Sequence, residues 1–172
     1  MTPVYLSLGS NTGDSMTLLA SAVHALSGLL DVLRVSPLYR SSPRYVLDQP
    51  DFLNLVVGGG TDLAPDELLD ATQAIEAAHG RDRSKERHKG PRTLDIDLVL
   101  YGDRVIRSGR LTVPHPGLTE RAFVLVPLLD LAPDMVHPET GRPLRDYSRA
   151  VEGQGIYLHG DGRLYSGPSG RA

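Results

Sequence analysis

The chain has 172 residues, with 18 Lys+Arg against 21 Asp+Glu, no Cys, no Trp and 40% hydrophobic residues. These values are ordinary for a folded domain, so they exclude a disordered chain, a collagen-like repeat and a disulfide framework. The sequence contains neither the roughly 18-residue apolar run of a spanning helix nor the charged start of a signal peptide, and we therefore expect a cytoplasmic protein without a membrane segment.

The net charge of −3 hides a local excess of basic residues. Residues 81–92 contain six basic and two acidic side chains, a net charge of +4, which leaves −7 for the rest of the chain. The total argues against a globally basic nucleic-acid-binding protein, but a basic segment on an acidic protein calls for an explanation.

The chain begins with the pattern of a strand followed by a helix. Residues 4–9 are predicted to form the strand, which ends in the turn-forming residues 9–13. Asp14 or Ser15 then caps a helix whose apolar residues recur at helical spacing as far as Leu30.

Two strands and a second helix follow. Residues 32–39 alternate well enough for a strand, a polar loop comes next, and residues 52–61 form a further strand. Pro65, followed by two acidic residues, starts a helix, and Gly80 ends it.

The last regular elements come after the basic segment. Residues 94–101 alternate as a strand, and residues 118–131 have the pattern of another helix, which Pro133 stops. The order β-α-β-β-α-β predicts an α+β fold of the ferredoxin-like kind, in which an antiparallel sheet carries both helices on one face.

The sequence divides into one domain and a tail. We assign residues 1–150 to a single domain and residues 151–172 to a Gly-rich C-terminal addition. Two interpretations of the tail remain open: a hairpin that pairs residues 156–159 with 163–165, and a frayed end.

The most informative motif is Gly-Pro-Arg-Thr-Leu-Asp-Ile-Asp-Leu at residues 90–98. Residues two apart on a strand share a face, so the carboxylates of Asp95 and Asp97 are expected about 7 Å apart. Hard oxygen ligands without a thiolate favour Mg²⁺, and the basic segment beside them suits the phosphates of a nucleoside triphosphate. The alternative is an ordinary solvated strand face.

Four segments together resemble the 6-hydroxymethyl-7,8-dihydropterin pyrophosphokinase family. They are residues 9–11, 49–54, 90–101 and 111–116, and their order and spacing match the family from residue 2 to residue 148. The resemblance implies a ferredoxin-like enzyme of folate biosynthesis that transfers the β,γ-diphosphate of ATP to the pterin hydroxymethyl group and releases AMP. It also implies that ATP and the pterin are the binding partners and that a monomer is favoured over an oligomer.

The resemblance further implies roles for individual residues. Two Mg²⁺ ions would be held by Asp95 and Asp97, which act in catalysis together with Arg81 and Arg92. The ATP contacts would be Gln73, Glu76, Arg83, Arg87, Arg92, Thr112, His115 and Arg121. The pterin contacts would be Ser42, Pro43, Phe52, Asn54 and Phe123, with the two Phe rings stacked on either side of the heterocycle.

Two other functions fit parts of the pattern. A Mg²⁺-dependent nucleotidyltransferase also uses a Gly-Ser turn with an Asp-x-Asp pair, but here about 85 residues separate the two, whereas that class keeps them in one local unit. An RNA-binding sheet of the ferredoxin-like kind would normally present clustered aromatic residues, and the motifs of this chain contain no such cluster. We therefore expect no nucleic-acid partner.

Overall fold

The computed structural model describes residues 1–43, 48–81, 84 and 93–164. Within these ranges the strands are β1 Thr2–Ser10, β2 Asp31–Val35, β3 Tyr39–Ser41, β4 Phe52–Thr61, β5 Asp95–Tyr101, β6 Ile106–Arg107, β7 Thr112–Val113 and β8 Ile156–Leu158. The helices are α1 Ser15–Leu26, α2 Pro65–Ala78, α3 Ala122–Leu131 and a 3₁₀ helix, Leu144–Val151.

The main sheet is antiparallel and has β1 and β4 at its centre. Its strand order is β5-β1-β4-β3-β8, and β2 pairs with β4 as well, next to β3 along the same edge. Strands β6 and β7 form a separate two-stranded ribbon. The predicted mixture of helices with an antiparallel sheet is confirmed.

Helices cover both faces of the sheet. Buried side chains of α1 and α2 pack with Val4 and Leu6 of β1, whereas those of α3 pack with Tyr5 of β1 and Val56 of β4. Successive strand residues point to opposite faces, so β1 contributes to two separate cores. Among the helices of the described ranges, none has both the length and the apolar character required to cross a bilayer.

Several predicted boundaries are confirmed because local chemistry determines them. Strand β4 spans the predicted residues, and α2 begins at Pro65, whose missing N–H is not needed in a first turn. The cap of α1 is Asp14, whose side chain accepts the N–H of Thr17 at 3.2 Å. Gly80 follows α2 with φ of 87°, a conformation that glycine adopts readily.

The single strand predicted for residues 32–39 is wrong, because β2 ends at Val35 and β3 begins at Tyr39. Pro37 lies in the break and has no N–H to donate to the ladder. The next N–H, of Leu38, bonds to the carbonyl of Gly162 at 2.8 Å instead of continuing the pairing.

The helix predicted for residues 118–131 begins later, at Ala122. Tight turns occupy the preceding residues, where the N–H of Leu118 bonds to His115 O and that of Arg121 to Gly117 O. The apolar pattern therefore marks burial through this stretch, and only its second part is α-helical.

The C-terminal segment joins the main sheet. Strand β8 pairs with β3, with Tyr39 opposite Leu158 and Ser41 opposite Ile156. Its pairing partner in the structure is thus β3, a strand more than 100 residues earlier, whereas the hairpin interpretation paired it with the residues after Gly162. Residues 165–172, which include the end of that hairpin, lie outside the described residues.

Candidate active site

The two motif carboxylates lie on β5, where the strand alternates between core and site. Ile96 and Leu98 are buried in the core, while the side chains of Asp95 and Asp97 are 21% and 36% exposed. The strand therefore presents both carboxylates on one face, as their spacing predicts.

Gly9 of β1 lies between the carboxylates and the predicted pterin amide. It pairs with Asp95 of β5 on one side and with Asn54 of β4 on the other. A methyl group at Gly9 would come within 3.2 Å of Asn54 Oδ1 and 3.9 Å of the Phe52 ring. A side chain at Gly9 would therefore crowd Asn54 and Phe52, and only the glycine backbone separates Asp95 from Asn54, two strand spacings or about 10 Å apart.

Asn54 is held rigidly although it is an amide in the middle of a strand. It is 3% exposed, and its Nδ2 donates to Ser41 Oγ at 2.7 Å. A second, longer bond at 3.4 Å goes to the carbonyl of Phe52. These contacts use the amide N–H groups and direct the carbonyl oxygen Oδ1 toward the space above Gly9.

His115 and Arg121 approach the acidic pair from the loop before α3. His115 Nε2 lies 3.9 Å from Asp97 Oδ2, and its Nδ1 accepts the N–H of Gly117 at 2.9 Å. Burial lowers the pKa of His115, the positive charge of Arg121 lowers it further, and Asp95 opposes both. A neutral imidazole whose Nδ1 is an acceptor carries its proton on Nε2, on the side of Asp97.

Gly117 makes room for Arg121. A methyl group at Gly117 would lie 2.8 Å from Arg121 Cδ, so the arginine side chain runs directly over this glycine. The Arg121 guanidinium also lies 5.9 Å from the centre of the Phe123 ring, within reach of a cation–π contact.

Arg81 forms a buried link between Asp95 and Glu76. Its Nη1 donates to Asp95 Oδ1 at 2.8 Å, to the carbonyl of Leu94 at 3.3 Å and to Glu76 Oε2. The side chains of Arg81 and Glu76 are only 5% and 2% exposed. Glu76 Oε2 also accepts the N–H of Ile96 at 3.0 Å, so this glutamate holds the start of β5.

The other predicted site residues have the following positions. Phe52 and Phe123 are half-buried, Pro43 is buried, and Gln73, Thr112 and Ser42 are exposed. Arg83, Arg87 and Arg92 lie outside the described residues. Contacts therefore join Arg81 to Asp95 and His115 to Asp97, and the charge of Arg121 acts on His115. Phe52 and Asn54 lie beside Gly9, on the other side from Asp95.

Sequence reasoning missed the spatial roles of two glycines and one serine. Gly9 leaves room for Asn54 Oδ1, Gly117 accommodates Arg121, and Ser41 holds Asn54. The Gly-Ser-Asn turn drew attention to Gly9, but no local signal connects it to Asn54. Asn11 of the same turn donates to Gln49 Oε1 at 2.9 Å, which supports a structural role for this turn.

The donor chemistry of the acidic pair fits Mg²⁺. Asp95 and Asp97 offer carboxylate oxygens, the ligands that Mg²⁺ prefers, and an Mg²⁺ ion bound by one or two carboxylates usually completes its shell with phosphate and water oxygens. Within the described part of the chain, no three or more His, Cys, Asp or Glu side chains form a group able to hold a metal alone. A site with two carboxylates that is completed by a substrate's phosphates agrees with this finding.

A family model matches most of the chain. The model is described as 7,8-dihydro-6-hydroxymethylpterin-pyrophosphokinase and matches residues 5–133. The chain belongs to this pyrophosphokinase family. The matched region includes the acidic pair, the basic segment, His115 and Arg121.

Relatives of this pyrophosphokinase family occur as separate proteins and as parts of longer ones. The chain is 45% identical to a 2-amino-4-hydroxy-6-hydroxymethyldihydropteridine pyrophosphokinase of Pseudomonas aeruginosa, over 89% of this chain and 94% of the relative. It is 49% identical to the folic acid synthesis protein fol1 of Schizosaccharomyces pombe, over 90% of this chain. The chain spans only about a fifth of that longer protein (21%).

Solved structures support the fold. The chain resembles wild-type HPPK-DHPS of Plasmodium falciparum with STZ-DHP, with a TM-score of 0.68 and 15% identity, over 86% of this chain and 43% of that one. The A437G variant with SDX-DHP gives a TM-score of 0.69 at 16% identity, over 86% and 45% of the two chains. At such low identity the likeness concerns the fold alone.

Proposed function

We propose that this protein transfers the β,γ-diphosphate of ATP to the hydroxymethyl group of 6-hydroxymethyl-7,8-dihydropterin and releases AMP, as a step of folate biosynthesis. The family membership and the names of full-length relatives support this activity. The observation that carries it is the strand register, which sets Gly9 between the carboxylate pair and a buried amide beside a Phe ring.

The residues on the two sides of Gly9 suit two different substrates. Asn54 Oδ1 can accept a hydrogen bond from an N–H edge of a heterocycle, and Phe52 offers a flat apolar surface for its ring. Asp95 and Asp97, with His115 and Arg121 behind them, suit a metal-bound polyphosphate. A pterin above Gly9 would point its hydroxymethyl group toward those phosphates.

The reaction makes one P–O bond and breaks another. The hydroxymethyl oxygen attacks the β-phosphorus, the bond from that phosphorus to the α,β-bridging oxygen breaks, AMP leaves with this oxygen, and the hydroxyl proton passes to solvent. Mg²⁺ held at Asp95 and Asp97 would neutralise phosphate charge and acidify the attacking hydroxyl. His115 donates its Nε2 proton in a hydrogen bond to a phosphate oxygen without having to be cationic.

Finer features belong to the same proposal. They are a ferredoxin-like sheet, one pyrophosphokinase domain over residues 1–150, two Mg²⁺ ions, a monomer, a cytoplasmic location and no nucleic-acid partner. The strand order β5-β1-β4, followed by β2 and β3, supports the ferredoxin-like arrangement. Arg92 is proposed as a phosphate contact from the family resemblance, and the further ATP contacts are Gln73, Glu76, Arg83, Arg87 and Thr112. Ser42, Pro43 and Phe123 are proposed as pterin contacts.

The decisive experiment identifies the nucleotide product. The protein is incubated with Mg²⁺, ATP and 6-hydroxymethyl-7,8-dihydropterin, and the nucleotides are resolved by anion-exchange chromatography. AMP formed in equal amount with a pterin diphosphate is expected. ADP would indicate an ordinary kinase, inorganic pyrophosphate a nucleotidyltransferase, and a lack of pterin-dependent product would refute the proposal.

An acidic-site variant tests the metal assignment. Asp97→Asn should lower turnover about a hundredfold or more, because metal stabilisation of phosphate charge contributes several kcal/mol to such reactions. Asp134→Asn is the matched control, since the Asp134 side chain is 93% exposed and pairs only with a surface arginine among its described contacts. Equal activity of the two variants would remove Asp97 from the site.

A methyl group at Gly9 tests the proposed role of Asn54 in binding the pterin. Gly9→Ala should raise the KM for the pterin severalfold, because the added group crowds Asn54 Oδ1 at 3.2 Å. Gly60→Ala adds a methyl group to another strand glycine, at 3.1 Å from the flexible Met1 side chain. The same KM for the pterin in both variants would show that the pterin does not bind beside Gly9 and Asn54.

A further inference from the structure

One hydroxyl group near the acidic pair has no hydrogen-bond partner. Among the buried side-chain nitrogen and oxygen atoms of the described residues, Thr93 Oγ1 alone is in this state. A polar oxygen that is excluded from water without a partner destabilises the fold, and native proteins rarely retain one. Such an atom therefore needs an explanation.

Thr93 lies next to the acidic pair in the chain. It precedes Asp95 by two residues and lies at the bend that leads into β5, with the fully buried Leu94 between them. Two residues of chain span at most about 7 Å, so Thr93 lies close to Asp95. The unpaired hydroxyl thus belongs to the surroundings of the site.

Packing alone does not explain a threonine at this position. Valine has nearly the same shape, suits an extended chain equally well and would remove the unpaired oxygen. A hydroxyl that the ligand-free fold does not use is instead suited to a partner that arrives with a ligand. Next to two carboxylates that would hold Mg²⁺, the arriving group is an oxygen of a polyphosphate.

We propose that Thr93 is a further substrate-binding residue of this site, whose hydroxyl donates a hydrogen bond to a phosphate oxygen of ATP. This inference rests on the proposed diphosphate transfer. Because the hydroxyl makes no hydrogen bond within the ligand-free fold, the bond to an anionic oxygen replaces none on the protein side.

The test compares Thr93→Val, which removes the hydroxyl at nearly constant shape, with Thr93→Ser, which keeps it. Three quantities are measured: the Tm of the ligand-free protein, the Kd for a non-hydrolysable α,β-methylene ATP analogue with Mg²⁺ by calorimetry, and the KM for the pterin. We expect Thr93→Val to keep or raise the Tm and to weaken analogue binding about tenfold, the range of a hydrogen bond to a charged group. Thr93→Ser should bind like the wild type.

Thr61→Val is the matched control. Thr61 is 2% exposed, and its Oγ1 accepts the N–H of Leu63 at 3.1 Å, so its hydroxyl has a structural partner. This variant should lower the Tm and leave analogue binding unchanged. The two valine variants therefore separate a hydroxyl that serves the ligand from one that serves the fold.

Three results would overturn the inference. A Tm for Thr93→Val that falls as in Thr61→Val would mean that the hydroxyl has a structural partner such as a bound water. Unchanged analogue binding would exclude the phosphate contact, and a change confined to the KM for the pterin would assign the hydroxyl to the other substrate. If the wild type releases no AMP while Thr93→Val still weakens analogue binding, the proposed reaction fails and the Thr93 contact stands.

Discussion

Replacing Arg81 by Met would remove a cationic partner from a carboxylate that the fold excludes from water. The Glu76 side chain is 2% exposed and is tied to the N–H of Ile96 at 3.0 Å, so it cannot turn to solvent without breaking that bond. Removing one member of a buried ion pair costs about 3–5 kcal/mol, which for a chain of this length lowers the Tm by about 10 °C.

The assay is thermal and urea unfolding of the ligand-free protein, with Arg107→Met as the matched control. Arg107 pairs with Glu139 at the surface, where the two side chains are 64% and 44% exposed, so its loss should cost no more than about 1 kcal/mol. Adding Glu76→Gln to Arg81→Met should recover about 2 kcal/mol, because a neutral amide needs no counter-ion.

The result bears on catalysis as well as on stability. If Arg81 moves away from Asp95 and Glu76 to contact phosphate during transfer, substrate binding must offset the loss of those bonds. If Arg81→Met lowers the free energy of unfolding no more than Arg107→Met does, the buried pair does not stabilise the fold by about 3–5 kcal/mol. The reasoning that links Arg81 to substrate binding would then be refuted.

Three further predictions concern stability and substrate binding. Ala64→Ser should raise the free energy of unfolding by about 1 kcal/mol in urea denaturation, because α2 lacks a side-chain cap and serine supplies one; no gain would contradict this. His137 is buried, which lowers its pKa, and its Nδ1 accepts the N–H groups of Glu139 and Thr140 at 3.2 Å each. The unfolded state then binds more protons, so stability is complete above pH about 6.5 and falls as the pH drops below it. His137→Asn should lose this part of the pH dependence, and an unchanged profile of the urea midpoint between pH 7.5 and 5.5 would exclude His137 as its source. Asn54→Leu should lower stability by about 1–2 kcal/mol through the lost bond to Ser41 and raise the KM for the pterin; a normal KM would separate Asn54 from the substrate.

Much of the fold was predictable because its signals are local. Pro65 and the acidic residues after it mark the start of α2, Asp14 marks that of α1, and strand β4 follows the apolar run of residues 52–61. The break between β2 and β3 also has a local cause, Pro37, which the alternating pattern around it concealed.

Other features depend on partners far away in the chain. Strand β8 pairs with β3 because Leu38 and Ser42 find backbone partners at Gly162 and Gly155, which no property of β8 itself indicates. Similarly, the burial of Arg81 requires Glu76 and Asp95 to converge on one guanidinium. A basic residue at the start of a basic segment looks like a solvated charge until that convergence is known.

At the candidate site, the chemistry of the acidic pair follows from the local sequence. The period of a strand places Asp95 and Asp97 on one face whatever the rest of the fold does. The residues beside them depend on how the strands pair, because the register of β1 against β4 and β5 sets Gly9 between Asp95 and Asn54. Strand register depends on contacts made along the whole length of three strands, so no local pattern specifies it.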